Sequence, residues 1–117
     1  MARTEITVTQ IVRSGATQTP TDGNADGHMF ANTGKEFIRV TNSALTSRDL
    51  TVITQQQIDG LDVADLVVSI PAGESRLVGP FSPGTFNVPS GQTDAGKTYI
   101  DYPSGNESDL KVEIYKL

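Results

Sequence analysis

A chain of 117 residues suits one domain, and 36% hydrophobic residues with no cysteine and no tryptophan leave a core of Val, Ile and Leu, without disulfides or thiolate metal sites. Fourteen acidic against nine basic residues give a net charge of −5, and the basic residues are scattered singly, which argues against a nucleic-acid partner. No run approaches the roughly 20 apolar residues that span a membrane, and the first nine residues lack the apolar stretch of a signal peptide, so synthesis and folding in the cytoplasm are expected.

In chain order, residues 5–12 place Ile6, Val8 and Val12 on one face of an alternating segment, so residues 1–12 read as an edge strand or an N-terminal arm. Asp22, Asn24 and Asp26 then sit at every second position before Gly27, which imitates the start of a calcium-binding loop. The twelfth position of such a loop holds a bidentate Glu, and here it is Thr33. A tight turn needs the same Asn, Asp and Gly residues, so the turn is the expected role and weak Ca²⁺ binding the metal candidate. His28 is the only histidine; without Cys or a second His it is expected to cap or pack beside the turn, not to ligate or catalyse.

Residues 36–41 read as a strand with Phe37 and Ile38 on opposite faces, and residues 50–54 as another carrying Leu50 and Val52. Residues 54–64 show no strand pattern, Gly60 breaks any helix, and a loop is expected. Residues 66–70 align Leu66, Val68 and Ile70; the following Pro71-Ala72-Gly73 reads as a hairpin connection to residues 75–78. Gly79-Pro80 and Ser82-Pro83-Gly84 argue against a helix across that region. Gly91 to Thr98 formally satisfies G-x-x-x-x-G-K-[ST], but that motif works only where a helix follows it. Residues 98–102 continue as a strand ending at Pro103, so the match is a chance one. Residues 110–117 close the chain, alternating Leu110, Val112 and Ile114 with Lys111 and Glu113.

The carboxylates Glu5, Glu36, Glu74, Glu107 and Glu113 are dispersed over strands and turns, and no nucleophile elbow is present. No enzyme and no cofactor are expected. Seven or eight short strands predict an all-β single domain, an antiparallel β-sandwich or jelly-roll-like fold.

Three stretches carry a resemblance: residues 26–34 leading into Glu36-Phe37-Ile38-Arg39-Val40-Thr41-Asn42, the run Ile70-Pro71-Ala72-Gly73-Glu74-Ser75-Arg76-Leu77-Val78-Gly79-Pro80-Phe81, and the opening Arg3-Thr4-Glu5-Ile6-Thr7-Val8. With the short C-terminal strand, they make the chain similar to small proteins encoded among the head genes of tailed phages and prophages, of the capsid decoration (auxiliary or cement) type. The resemblance implies a β-rich protein, commonly a homotrimer, that binds the major capsid protein on the outer surface of the shell and resides in the virion, with neither nucleic acid nor membrane as partner. On that reading Val78, Phe81 and Phe86, together with Ile6 and Val8 of the N-terminal segment, are candidates for oligomer or capsid contact. Their ordinary role is core. A head–tail connector or tail protein, and a non-catalytic carbohydrate- or cell-surface-binding β-sandwich, are the alternatives.

Overall fold

The longest strands form where alternation is cleanest. In the computed structural model, which describes residues 3–55 and 57–117, β5 (Glu36–Asn42) pairs antiparallel with β12 (Leu110–Lys116) over seven residues. Ile38 faces Ile114, and Val40 faces Val112, all pointing inward and fully buried, because successive side chains of a strand leave by opposite faces. Before β5 in chain order come β1 (Thr4–Glu5), β2 (Thr9–Gln10), β3 (Thr21–Asp22) and β4 (His28–Ala31); between β5 and β12 come β6 (Arg48–Val52), β7 (Gln57–Ile58), β8 (Leu61–Asp62), β9 (Leu66–Ile70), β10 (Ser75–Val78), the single turn α1 (Pro83–Phe86) and β11 (Lys97–Asp101).

Two sheets result. The first has the order β1-β4-β11-β6-β9; the second runs β10-β5-β12-β2, with β3 sharing the outer side of β12. They pack as an all-β sandwich. Phe30, Leu50, Val52, Ile70 and Ile100 from the first sheet meet Ile38, Val40, Leu110, Val112 and Ile114 from the second, with Phe81 inserted from a connection. Burial of each such side chain contributes roughly 1.5–3 kcal/mol, so this interlayer is where stability resides. No helix among the described residues is long and apolar enough to cross a membrane.

Several local expectations are corrected. The sheets are mixed, because β1 runs parallel to β4 and β2 parallel to β12. Residues 5–12 are therefore not one strand. The chain leaves the edge of the first sheet, buries Ile6 at the crossing and joins the second, leaving Val12 48% exposed. Pro71-Ala72-Gly73 is not a hairpin, since β9 pairs with β6 and β10 with β5. The Glu74 N–H closes on the Pro71 carbonyl at 3.1 Å, and the chain turns across the sandwich. Residues 54–64 contain the hairpin β7–β8, whose turn residues Asp59 and Gly60 both have positive φ, 53° and 78°. That is the backbone of the favoured two-residue hairpin turn. Pro83 opens a one-turn helix instead of forbidding one, since the first helical position needs no N–H donor.

The five contact candidates lie in or against the core. Ile6, Val78 and Phe81 are buried in the chain's own core, and Val8 and Phe86 pack against it. Phe81 lies between Phe30 and Phe86, with ring centroids at 5.9 and 5.3 Å.

Candidate functional site

In the acidic turn before β4, Asp22 and Asn24 have partners within the fold. Asp22 places its carboxylate on the Lys111 ammonium at 2.8 Å. Asn24 turns its amide nitrogen to His28 Nε2 at 3.2 Å, and Gly27 closes the turn with its N–H on the Asn24 carbonyl. Gly27 has φ of 79°, and a Cβ there would stand 2.6 Å from the Ile100 carbonyl oxygen, so turn geometry accounts for the composition. Among the described residues no group of three His, Asp or Glu is placed to hold a metal ion. His28 is buried between Asn24 and the Tyr102 hydroxyl, which lies 2.6 Å from Nδ1. Burial lowers its pKa below the ordinary 6.5.

The nucleotide-loop lookalike is absorbed by the sheet. Lys97 lies in β11 with its ammonium on Glu5 at 2.7 Å. Thr98 is buried in the same strand, and its hydroxyl donates to Asn87 Oδ1 at 2.8 Å. A groove of about 720 Å³ lies beside this segment, lined by Gln55, Pro83, Asn87, Ser90 and Gly96 among others. Its central amide is committed within the fold: Asn87 Nδ2 donates to the Asn32 carbonyl, and Asn87 Oδ1 also accepts from Asn32.

The outer face of the second sheet is different. Outward positions of β5, β12 and β10 grade along the strands. One end is polar, with Thr41 and Ser75 hydroxyls 2.8 Å apart. At the middle Arg39 meets Glu113 at 2.9 Å, and Glu113 also accepts from the Tyr115 hydroxyl. That hydrogen bond to a carboxylate, then burial, raises the Tyr115 pKa. The other end is apolar: Phe37 lies beside Tyr115 with ring centroids 6.0 Å apart, and Leu77 is 69% and Leu117 74% exposed.

Two grooves share this end. One, of about 330 Å³, lies between Phe37, Leu77, Pro80, Leu117 and Lys35. The other, of about 260 Å³, lies between Phe37, Leu77, Tyr115, Arg39, Ile11 and Val12. Its far wall is the chain after β2, strapped down by Gln18. The Gln18 amide nitrogen donates to the Thr7 carbonyl at 2.8 Å and to Thr9 Oγ1 at 2.7 Å, and its oxygen accepts from the Ile114 N–H at 3.0 Å. Contiguous exposed apolar surface of this kind marks an interaction site more often than scattered single residues do.

Sequence reasoning missed Leu77, Leu117, Ile11 and the strap Gln18 as components of this surface. A signal was present for part of it. Phe37-Ile38, Leu77-Val78 and Ile114-Tyr115 are apolar doublets in strands, and a strand cannot turn both members of a doublet to one side. Comparison of the chain with protein-family models, with curated proteins and with solved structures finds no match.

Proposed function

We propose that this chain is a structural protein of a tailed-phage virion, a decoration protein that binds the outer surface of the capsid shell as a homotrimer and stabilises it. The observation that carries the reading is the apolar end of the second sheet, where Phe37, Leu77 and Leu117 lie on the surface of a domain whose core is already filled. An auxiliary shell protein acts by covering surface on its partners, and that requires apolar contact area outside its own core. The resemblance of residues 3–8, 26–42 and 70–81 to phage head-gene products supplies the partner, the major capsid protein. The net charge of −5 suits a protein that stays dispersed until it meets the shell.

Quantitative mass spectrometry of purified virions, counting this chain against the major shell protein, tests the reading. A ratio near one to one is expected. A handful of copies per particle would move the protein to the head–tail connector or the tail. Absence from particles would remove the virion role.

A further inference from the structure

Among the described residues β10 is an open edge of the second sheet, paired only with β5. The Asn42 N–H bonds the Glu74 carbonyl at 2.9 Å, and bonding and non-bonding residues alternate along an antiparallel pair. Glu74 and Arg76 therefore turn their main-chain groups to β5, while Ser75 and Leu77 turn theirs to the open side. The Arg76 side chain covers part of that edge. Its Nη1 donates to the Ser75 carbonyl at 3.0 Å and to the Glu74 carboxylate at 2.8 Å. Both side chains leave the strand by the face that carries Val78, and both are about half exposed, 43% for Arg76 and 54% for Glu74. A charge in this position deters an arbitrary strand from adding to a sheet edge, because an apolar neighbour would desolvate the guanidinium without pairing it. One strand answers it. The run Glu74-Ser75-Arg76 sets opposite charges on either side of Ser75, so in an antiparallel pair centred on Ser75 each Glu74 faces an Arg76.

We infer that β10 pairs with β10 of a second copy across a two-fold axis at Ser75, so that the second sheet runs through both chains. The two Ser75 residues exchange N–H···O=C bonds, which replace the Arg76 bond to the Ser75 carbonyl. Each guanidinium then lies between the Glu74 carboxylate of its own chain and that of the second copy. The next pair outward sets Leu77 opposite Gly73 of the second copy. Leu77 is 69% exposed, and a Cβ at Gly73 would meet no atom within 4 Å, so the leucine side chain finds room over the glycine. Other two-fold registers lose the match: centring on Glu74 or on Arg76 sets like charges face to face, and centring on Leu77 sets Arg76 against Val78. The charges therefore select the partner as well as attract it. An isologous contact joins two chains and closes; it is separate from a three-fold contact and, on a shell, would link one trimer to the next. Because the sheets join edge to edge, the outer face that carries Phe37 and Leu117 stays open. The inference goes beyond the virion reading and does not rest on it.

Analytical ultracentrifugation of the full chain over a concentration series tests it. The wild-type chain is expected to associate reversibly with a midpoint of roughly 10–100 μM, as suits a contact smaller than a standard interface. R76E surrounds the axis with carboxylates alone and E74R with guanidinium groups alone. Each should weaken association about tenfold, as for two exposed charge pairs turned repulsive together. The double variant E74R with R76E restores the alternation and should return association to within about threefold of wild type. High salt should narrow these differences. Both positions are exposed, so the variants should retain the wild-type circular dichroism spectrum. Hydrogen exchange read by nuclear magnetic resonance reports the edge without any substitution: the Ser75 and Leu77 amides should gain protection as concentration rises, and should not do so in R76E. A wild-type chain that stays unassociated at about 1 mM, R76E that associates as well as wild type, a folded double variant as weak as the single ones, or protection that builds up away from Ser75 and Leu77 would each overturn the proposal. Copy number is read on particles and two-fold association on the isolated chain. Absence from virions with the association intact therefore removes the virion reading alone.

Discussion

His28 has exchanged water for two neutral partners, the amide nitrogen of Asn24 and the hydroxyl of Tyr102. If Asn24 donates to Nε2, the ring proton sits on Nδ1 and is given to the Tyr102 oxygen, so an imidazolium has no acceptor for its second proton. Burial accordingly lowers the pKa of His28 below 6.5. The sign follows: below about pH 6.5 the unfolded chain takes up a proton that the folded one refuses, so stability falls as pH falls. Urea midpoints should therefore drop between pH 7 and pH 5, and H28Q should flatten that step; an equal drop in the variant would assign it elsewhere. Glu36 behaves in the opposite chemical sense. Burial alone would raise its pKa, but the Thr33 N–H and hydroxyl, with the N–H groups of Lys35 and of Glu36 itself, hold it below its ordinary 4.5. The stability from that carboxylate is complete above about pH 4.5 and is lost as pH falls through the folded-state value. Acid titrations of E36Q, followed by circular dichroism, should lack this second, more acidic step.

At the scale of elements, Asn42 joins two of the connections that cross the sandwich, β5 to β6 and β9 to β10. It ends β5 fully buried; its amide nitrogen donates to the Thr46 and Ile70 carbonyls at 2.9 Å each, and its oxygen accepts the Ala44 N–H. Alanine there strands several buried backbone groups, each costing on the order of 1–3 kcal/mol. N42A should lower unfolding free energy by about 3 kcal/mol in chemical denaturation, and N42D should not rescue it, because a carboxylate cannot donate. A loss below about 1 kcal/mol would mean that water replaces the side chain. The hairpin β7–β8 is anchored at its base. Its neck is closed by the Thr54 hydroxyl on the Val63 carbonyl at 2.6 Å and the Thr54 N–H on Asp65 at 3.0 Å.

Over the whole molecule, two kinds of apolar residue must be separated. Phe81 is 1% exposed among Phe30 and Phe86, and F81A should cost about 3–5 kcal/mol, as aromatic truncation in a core does. Leu77 stands in water, and L77D should change stability by no more than about 0.5 kcal/mol while removing the protein from sedimenting shells. If L77D still co-sedimented at the wild-type ratio, the apolar end of the second sheet would not be the docking surface.

Composition and period-two alternation were sufficient, read from the sequence, for an all-β class, for the core strands other than β4, and for the inward sets Leu50 with Val52 and Leu110, Val112 and Ile114. Those are local properties, because alternation records which face of a strand is dry. The turn that Gly27 closes was legible for the same reason, and so was the strand that follows Gly96. Strand partners were not legible. Whether Pro71-Ala72-Gly73 turns the chain back along one sheet or across to the other depends on what β9 and β10 meet, and no nearby residue encodes that. The same holds for the surface. Each apolar doublet announces that one member faces outward, but only register places Phe37 beside Tyr115 and brings Leu77 and Leu117 to the same end. Alternation is decided within a strand, whereas a docking face is made by residues distant in sequence that pairing brings side by side.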